Sequence, residues 1–148
     1  MVLFSQGSVT TRLAAEQMKK GLFEALAQLG PRQRVLVIPP DFTRFHSQAG
    51  LLTQLVYDYY GDKLAAVLPA LGTHSPMTET QIREMFGDMP LELFKVQDWR
   101  NDVITLGTVP PEYVSTITEG KLDFDGPVQV NRLLKEGGFD LILSLGQV

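Results

Sequence analysis

The chain is 148 residues long, 44% apolar and 20% charged, a balance that supports one buried core and excludes disordered, collagen-like and disulfide-scaffold classes. Its 13 Lys and Arg against 17 Asp and Glu leave a formal charge of −4 with no basic cluster, so nucleic acid is not an expected partner. With no cysteine and 2 histidines, it has no disulfide, no thiolate metal site and no cysteine nucleophile; the absence of a signal-peptide pattern or of a run of about 18 apolar residues gives the expectation of a cytoplasmic protein without membrane contact.

No repeat, low-complexity stretch or Pro/Gly/Ser-rich linker divides the sequence, so one domain is the simplest expectation. Over residues 11–29, Leu13, Ala14, Met18, Leu22, Phe23, Ala25, Leu26 and Leu29 recur at three- and four-residue intervals, which predicts an amphipathic helix stopped by Gly30-Pro31. Residues 34–38 predict a short buried strand. After a polar loop, Ser47 is placed to cap a second helix carrying Leu51, Leu52, Leu55, Val56 and Tyr59 and ending near Gly61. Residues 64–71 form the next apolar run, closed by Gly72.

Thr78 and Gln81 have capping-box spacing, and Met77 with Ile82 fits a hydrophobic staple, so a third helix is expected from Glu79 to Phe86 with Gly87 beyond its end. Residues 91–96 read as a further strand. Residues 98–127 are turn-rich and receive no assignment; Asp98-Trp99-Arg100-Asn101-Asp102 within them reads as a surface turn around a packed indole. A short helix is expected after Asn131, and residues 139–145 predict the last strand. Strands alternating with helices, with nearly continuous apolar runs, predict an α/β fold: a doubly wound, mainly parallel sheet with helices on both faces, in part Rossmann-like.

In such sheets the binding crevice lies beyond the carboxyl ends of the strands, so the residues after each apolar run are the candidates for chemistry. The first such segment runs from Pro39 to Ser47. Two prolines stiffen its start, and a helix N-terminus together with Arg44 suits a phosphate or carboxylate, with Asp41 holding Arg44 or accepting from a ligand hydroxyl. Equally, Asp41 and Thr43 turn the chain while Arg44 pairs with a surface acid. The second is Gly72-Thr73-His74-Ser75-Pro76, where glycine permits a close turn and histidine brings proton transfer to the crevice; alternatively His74 bonds only within its own loop. His46 reads as a solvated or loop-bonding residue. Phe42, Phe45 and Tyr60 read as core rather than pocket. The third segment is Ser144-Leu145-Gly146-Gln147-Val148, where a parallel strand ends without the crossover helix that would follow it.

Taken together, Asp41-Phe42-Thr43-Arg44, the stretch from Ala70 to Thr78 (Ala-Leu-Gly-Thr-His-Ser-Pro-Met-Thr), Pro127-Val128-Gln129-Val130-Asn131 and the closing Leu145-Gly146-Gln147-Val148 resemble the N-terminal catalytic domain of the lactate racemase family, whose members use a nickel-pincer nucleotide. The resemblance runs in order from about Val35 to Val148. It implies that Asp41, Thr43 and Arg44 line the cofactor and substrate cleft, with Arg44 meeting a phosphate or the substrate carboxylate, and that His74 is one of two catalytic histidines. In the chemistry it implies, a hydride leaves the carbon bearing the hydroxyl of a small 2-hydroxy acid for the cofactor while a histidine takes the hydroxyl proton; a planar keto acid forms, and the hydride returns to either face. Racemisation requires a proton acceptor for each hand of the substrate. In the family the second base, the lysine that tethers the cofactor and the histidine that ligates nickel all follow the position of Val148.

The expectation is therefore an N-terminal part of a longer enzyme, binding no cofactor and having no activity alone, with the missing C-terminal part of the same chain as partner. Two departures stand out. Gln97 lies where relatives commonly place histidine, and His46 falls outside the shared pattern. The alternative from a different class is a non-catalytic module that holds a mononucleotide or other anion over the loop from Asp41 to Ser47.

Overall fold

The computed structural model describes residues 1–146. The chain divides into two compact units, Met1–Val96 with Phe139–Val148, and Gln97–Gly138. In the first unit, helix α1 (Ala15–Gln28) leads to strand β1 (Val35–Ile38), helix α2 (Ala49–Tyr60) to strand β2 (Leu64–Val67), and helix α3 (Glu79–Phe86) follows. The second unit holds strand β3 (Val103–Val109), helix α4 (Pro111–Ile117), strand β4 (Gly126–Asn131) and helix α5 (Arg132–Glu136), after which strand β5 (Leu141–Ser144) returns to the first.

The α/β expectation holds in the first unit, where a three-stranded parallel sheet has the order β2-β1-β5. Its central strand explains the continuous apolar run. Successive side chains of a strand point to opposite faces, yet Val35, Leu36 and Val37 are all fully buried, so both faces of β1 are covered. Val35, Val37 and Val67 share one core with Leu26 of α1, Ala49, Val56 and Tyr60 of α2, and Met85 and Phe86 of α3. The helical periodicity places those residues: Leu22, Leu26 and Leu29 stand one turn apart and all meet this core. Leu141, Leu143 and Leu145 pack against it from β5.

Helix α3 has the bounds that its local signals predict. Thr78 Oγ1 accepts from the Gln81 N–H at 3.3 Å and Gln81 Oε1 accepts from the Thr78 N–H at 2.9 Å, the two halves of the capping box. Met77 and Ile82 both pack on the core. Ser47 does not cap α2 as expected. Residues Phe42–Ser47 wind into a 3₁₀ turn, Gln48 takes the cap position with φ of 63°, and Ser47 Oγ accepts from the Ala49 N–H at 3.3 Å. Nor do residues 91–96 form a strand: after Pro90 the chain makes a 3₁₀ turn over Leu91–Leu93 and touches β2 through one bridge, with the Lys95 N–H donating to the Val67 carbonyl at 2.8 Å.

In the second unit β3 and β4 pair antiparallel, with a register shift between Thr105 and Gly107. Asn131 ends β4 and caps α5 by accepting from the Leu133 N–H at 2.9 Å, so the helix expected after Asn131 is present. Asp98 accepts from the Arg100 and Asn101 N–H groups, each at 3.0 Å, which makes the surface turn read from the sequence, but the indole expected to be packed is exposed, with the Arg100 guanidinium 3.9 Å from the Trp99 ring centre. No helix among the described residues is long and apolar enough to cross a membrane. Gln147 and Val148, the end of the Leu-Gly-Gln-Val segment, lie outside the described residues.

Candidate functional site

Because β1 lies between β2 and β5, the chain leaves β1 toward one side of the sheet and returns on the other, which makes the carboxyl end of β1 a switch point. The loops after β1 and β2 are joined there. Beyond the strands proper, the Leu68 N–H donates to the Val37 carbonyl and the Ala70 N–H to the Pro39 carbonyl, both at 2.8 Å, and Pro40 bridges Ala70 in parallel. Asp41 follows Pro40 directly. Leu71 to His74 is one tight turn, the His74 N–H donating to the Leu71 carbonyl at 2.9 Å, with Gly72 at a φ of +56° that disfavours any side chain.

This extended pairing brings Asp41 and His74 together although 33 residues separate them: Asp41 Oδ2 and His74 Nδ1 stand 2.6 Å apart. The other carboxylate oxygen, Oδ1, accepts from the Thr43 N–H at 3.0 Å and from the Thr43 hydroxyl at 2.5 Å. Asp41 is 5% exposed while the His74 side chain is 59% exposed, so a buried anion orients an accessible imidazole. Burial alone would raise the Asp41 carboxyl pKa; the hydrogen bonds from the Thr43 hydroxyl, His74 and the Thr43 N–H outweigh it and hold the group below its ordinary range. An ionised carboxylate only accepts hydrogen bonds, which assigns the bridging proton to Nδ1 and leaves Nε2 as the accepting nitrogen of neutral His74.

Asp41, Thr43 and Arg44 from the first loop and Gly72, Thr73 and His74 from the second line an open cleft of about 500 Å³. All four residues singled out from the sequence, Asp41, Thr43, Arg44 and His74, therefore share one site. Two details differ from the expected alternatives. The Asp41 carboxylate holds Thr43 and His74 and not the Arg44 side chain, whose backbone N–H alone donates to the Asp41 carbonyl at 3.0 Å, and the exposed Arg44 guanidinium has no acid partner among the described residues. His74 does not confine its bonding to its own loop. Thr73, which the sequence reading passed over, also lines the cleft; its signal was its place between Gly72 and His74. His46 is exposed on the 3₁₀ turn and outside the lining, Phe42 packs on the core, and Tyr60 lies within it.

The arrangement supplies, in one cleft, an oriented base and a cation without an acid partner among the described residues. It does not supply a metal centre: among the described residues no three His, Asp or Glu side chains cluster as metal ligands.

Comparison with known proteins gives the same picture of the chain. The model of the family described as lactate racemase N-terminal domain matches residues 15–148. A crystal structure of a protein from Thermotoga maritima, a structural genomics target, is similar with a TM-score of 0.79 and 31% identity over 89% of this chain and 33% of that one. The structure of the lactate racemase apoprotein from Thermoanaerobacterium thermosaccharolyticum is similar in fold, with a TM-score of 0.63 and 23% identity over 88% of this chain and 31% of that one. The chain thus spans about a third of the length of both solved structures. A comparison with curated protein sequences gave no match.

Proposed function

The chain belongs to the lactate racemase N-terminal domain family, and from that premise we propose that it contributes the Asp41–His74 side of the catalytic cleft of a cytoplasmic 2-hydroxy-acid racemase or epimerase. The observation that carries the proposal is the 2.6 Å contact between a buried carboxylate and an exposed imidazole at the carboxyl edge of a parallel sheet. In this reading His74 Nε2 accepts the proton of the substrate hydroxyl. Asp41 keeps the ring in the accepting tautomer and offsets the charge the ring gains, the division of labour of a carboxylate–histidine pair. Thr43 fixes the carboxylate from its other side. Arg44, which has no acid partner among the described residues, holds a carboxylate or phosphate by its planar fork.

One observation supports a fit to the family's nickel-pincer nucleotide: Arg44, without an acid partner among the described residues, borders an open space of about 500 Å³ with Asp41 and Thr43 and in this reading would meet its phosphate. When bound, that group supplies the acceptor for the hydride that the substrate carbon gives up. The described residues offer no ligand set for nickel; in this reading the metal ligand, the tethering lysine and the second base come from outside these 148 residues, which span about a third of the length of both solved relatives. Accordingly we propose that the 148 residues alone bind no cofactor and turn over no substrate.

The test is His74→Ala in the racemase that carries this domain. Turnover is expected to fall roughly 10²- to 10⁴-fold, the usual worth of a general base, while the domain stays folded with a modestly lower melting temperature, because the largely exposed imidazole leaves no cavity but the buried Asp41 carboxylate loses one of its donors. The second reading, a non-catalytic anion module, is favoured by Arg44 alone. If nucleotide binding by calorimetry survives His74→Ala, is abolished by Arg44→Gln, and no 2-hydroxy acid is racemised by the wild type, the module reading replaces the enzyme.

A further inference from the structure

The connection from α1 to β1 and that from α2 to β2 meet at the amino edge of the parallel sheet, the edge opposite the Asp41–His74 cleft. They enclose a second cavity of about 430 Å³, lined by Gly30, Pro31, Arg32, Tyr59, Tyr60 and Lys63 and floored by Ala27. Two polar atoms at this place, Arg32 Nε and Tyr60 Oη, are buried without a hydrogen-bond partner among the described residues. Tyr60 is 7% exposed and its ring belongs to the core, so its hydroxyl is a fixed feature and cannot turn out to solvent. Arg32 is half-buried and held at its tip: its Nη2 donates to the Leu29 carbonyl at 2.8 Å and its Nη1 to the Asp140 carbonyl at 3.5 Å, while Nε is the buried donor of the guanidinium that these bonds leave unused. A buried polar atom left unpaired is costly, and such exceptions call for a partner.

The chemistry of the lining says what that partner is. Arg32 and Lys63 only donate, and the Tyr60 phenol, which burial and the neighbouring Tyr59 push up in pKa, stays protonated and so donates as well. The nearby acid, Asp140, accepts through its carboxylate from the Gln33 and Arg34 N–H groups at 2.7 and 2.9 Å, and its charge, which also acts on Tyr60 and Arg32, opposes an anion here and is offset by Arg32 and Lys63. Helices α1 and α2 both end here and present carbonyls, which oppose an anion; the two cations answer that opposition, Arg32 by taking the Leu29 carbonyl itself. The remaining wall is apolar, formed by Ala27, Pro31 and the ring of Tyr59, which stands edge-on to both Phe23 and Tyr60 at 5.0 and 4.9 Å between ring centres. We propose that this cavity is a binding site for a small organic oxyanion, a carboxylate or phosphate carried on a planar apolar body, whose oxygens accept from Tyr60, Arg32 and Lys63 while the body lies against Pro31 and Tyr59.

Titration of the isotopically labelled chain with phenyl phosphate, followed by amide NMR, tests the site. Saturable shifts are expected around residues 29–32 and 59–63, with weaker binding of inorganic phosphate and none of benzyl alcohol, which shares the ring and lacks the anion. Tyr60→Phe removes only the unpaired hydroxyl; it should leave the melting temperature equal or higher and weaken phenyl phosphate binding roughly fivefold to tenfold, the worth of one hydrogen bond. Arg44→Gln at the opposite edge should leave the binding unchanged. The proposal is overturned if phenyl phosphate shows no saturable binding, as when an ordered water alone satisfies Tyr60 and Arg32, if Tyr60→Phe binds as well as the wild type, or if the shifts fall on residues 41–44 and 70–74.

Discussion

Asp41 concentrates the site's physics in one side chain. It is nearly buried, and it stays ionised because three hydrogen bonds, two from Thr43 and one from His74, compensate the water it has lost. A carboxyl whose folded pKa lies below its ordinary 3.8 stabilises the fold fully at pH values above 3.8, and that contribution disappears as the pH falls through the lower folded value. Asp41→Asn should therefore be less stable than the wild type near neutral pH, and the gap should close on acidification; thermal melts from about pH 6 down to about pH 2 check this. A gap that stayed constant across that range would mean that the charge of Asp41 does not stabilise the fold. In the proposed racemase the same substitution should lower turnover and change KM little, because it disturbs the orientation of His74 and leaves Arg44 in place. Sequence reasoning found both partners and not their bond. Asp41, Thr43 and Arg44 are legible as a strand-end loop and His74 as a second one, but the contact spans 33 residues and depends on the pairing of Pro40 with Ala70, which no local signal announces.

Legibility at the scale of elements follows the same division between local and distant causes. Helix α3 is readable to the residue because its start and stop are written in its neighbours, Thr78, Gln81 and Gly87. Strands β3 and β4 are not, because each is stabilised by the other across the chain; Gly107, Pro127 and a shifted register hide the alternation that marks a strand. Residues 91–96 err the other way, an apolar segment whose strand character is spent on one bridge to β2. A contact that no pattern reveals is the approach of α2 to α3. A side chain at Gly50 would place its Cβ 2.1 Å from the Met85 carbonyl oxygen, and backbone cannot yield as a flexible side chain does. Gly50→Ala should destabilise the first unit by about 1–3 kcal/mol, the cost of overpacking, where Gly7→Ala, with open space around it, should cost far less. Equal melting temperatures for the two variants would show that the helices separate freely.

Across the whole molecule the order of the chain and the order of the sheet disagree, and the disagreement has a measurable consequence. Unit one is discontinuous: β5 reaches it only after the chain has built Gln97–Gly138, and β5 then pairs with all four residues of β1 and carries Leu141, Leu143 and Leu145 to the core. A chain ending at Gly138 would leave β1 as an exposed edge beside three lost leucines, a state prone to pairing with other chains. A chain in which Gln97–Gly138 is replaced by a Gly/Ser linker keeps β5 and every residue of that core. The linker variant is therefore expected to unfold in one cooperative transition and to give dispersed amide spectra, and the shortened one to be unfolded or aggregated. Because β1 also sets the position of Asp41, the linker variant should preserve the His74 Nδ1–H signal of the Asp41 hydrogen bond. A shortened chain that melted as sharply as the intact one would show that β5 is dispensable to the fold that positions the site; loss of cooperativity in the linker variant would show that unit one cannot hold the site without residues 97–138.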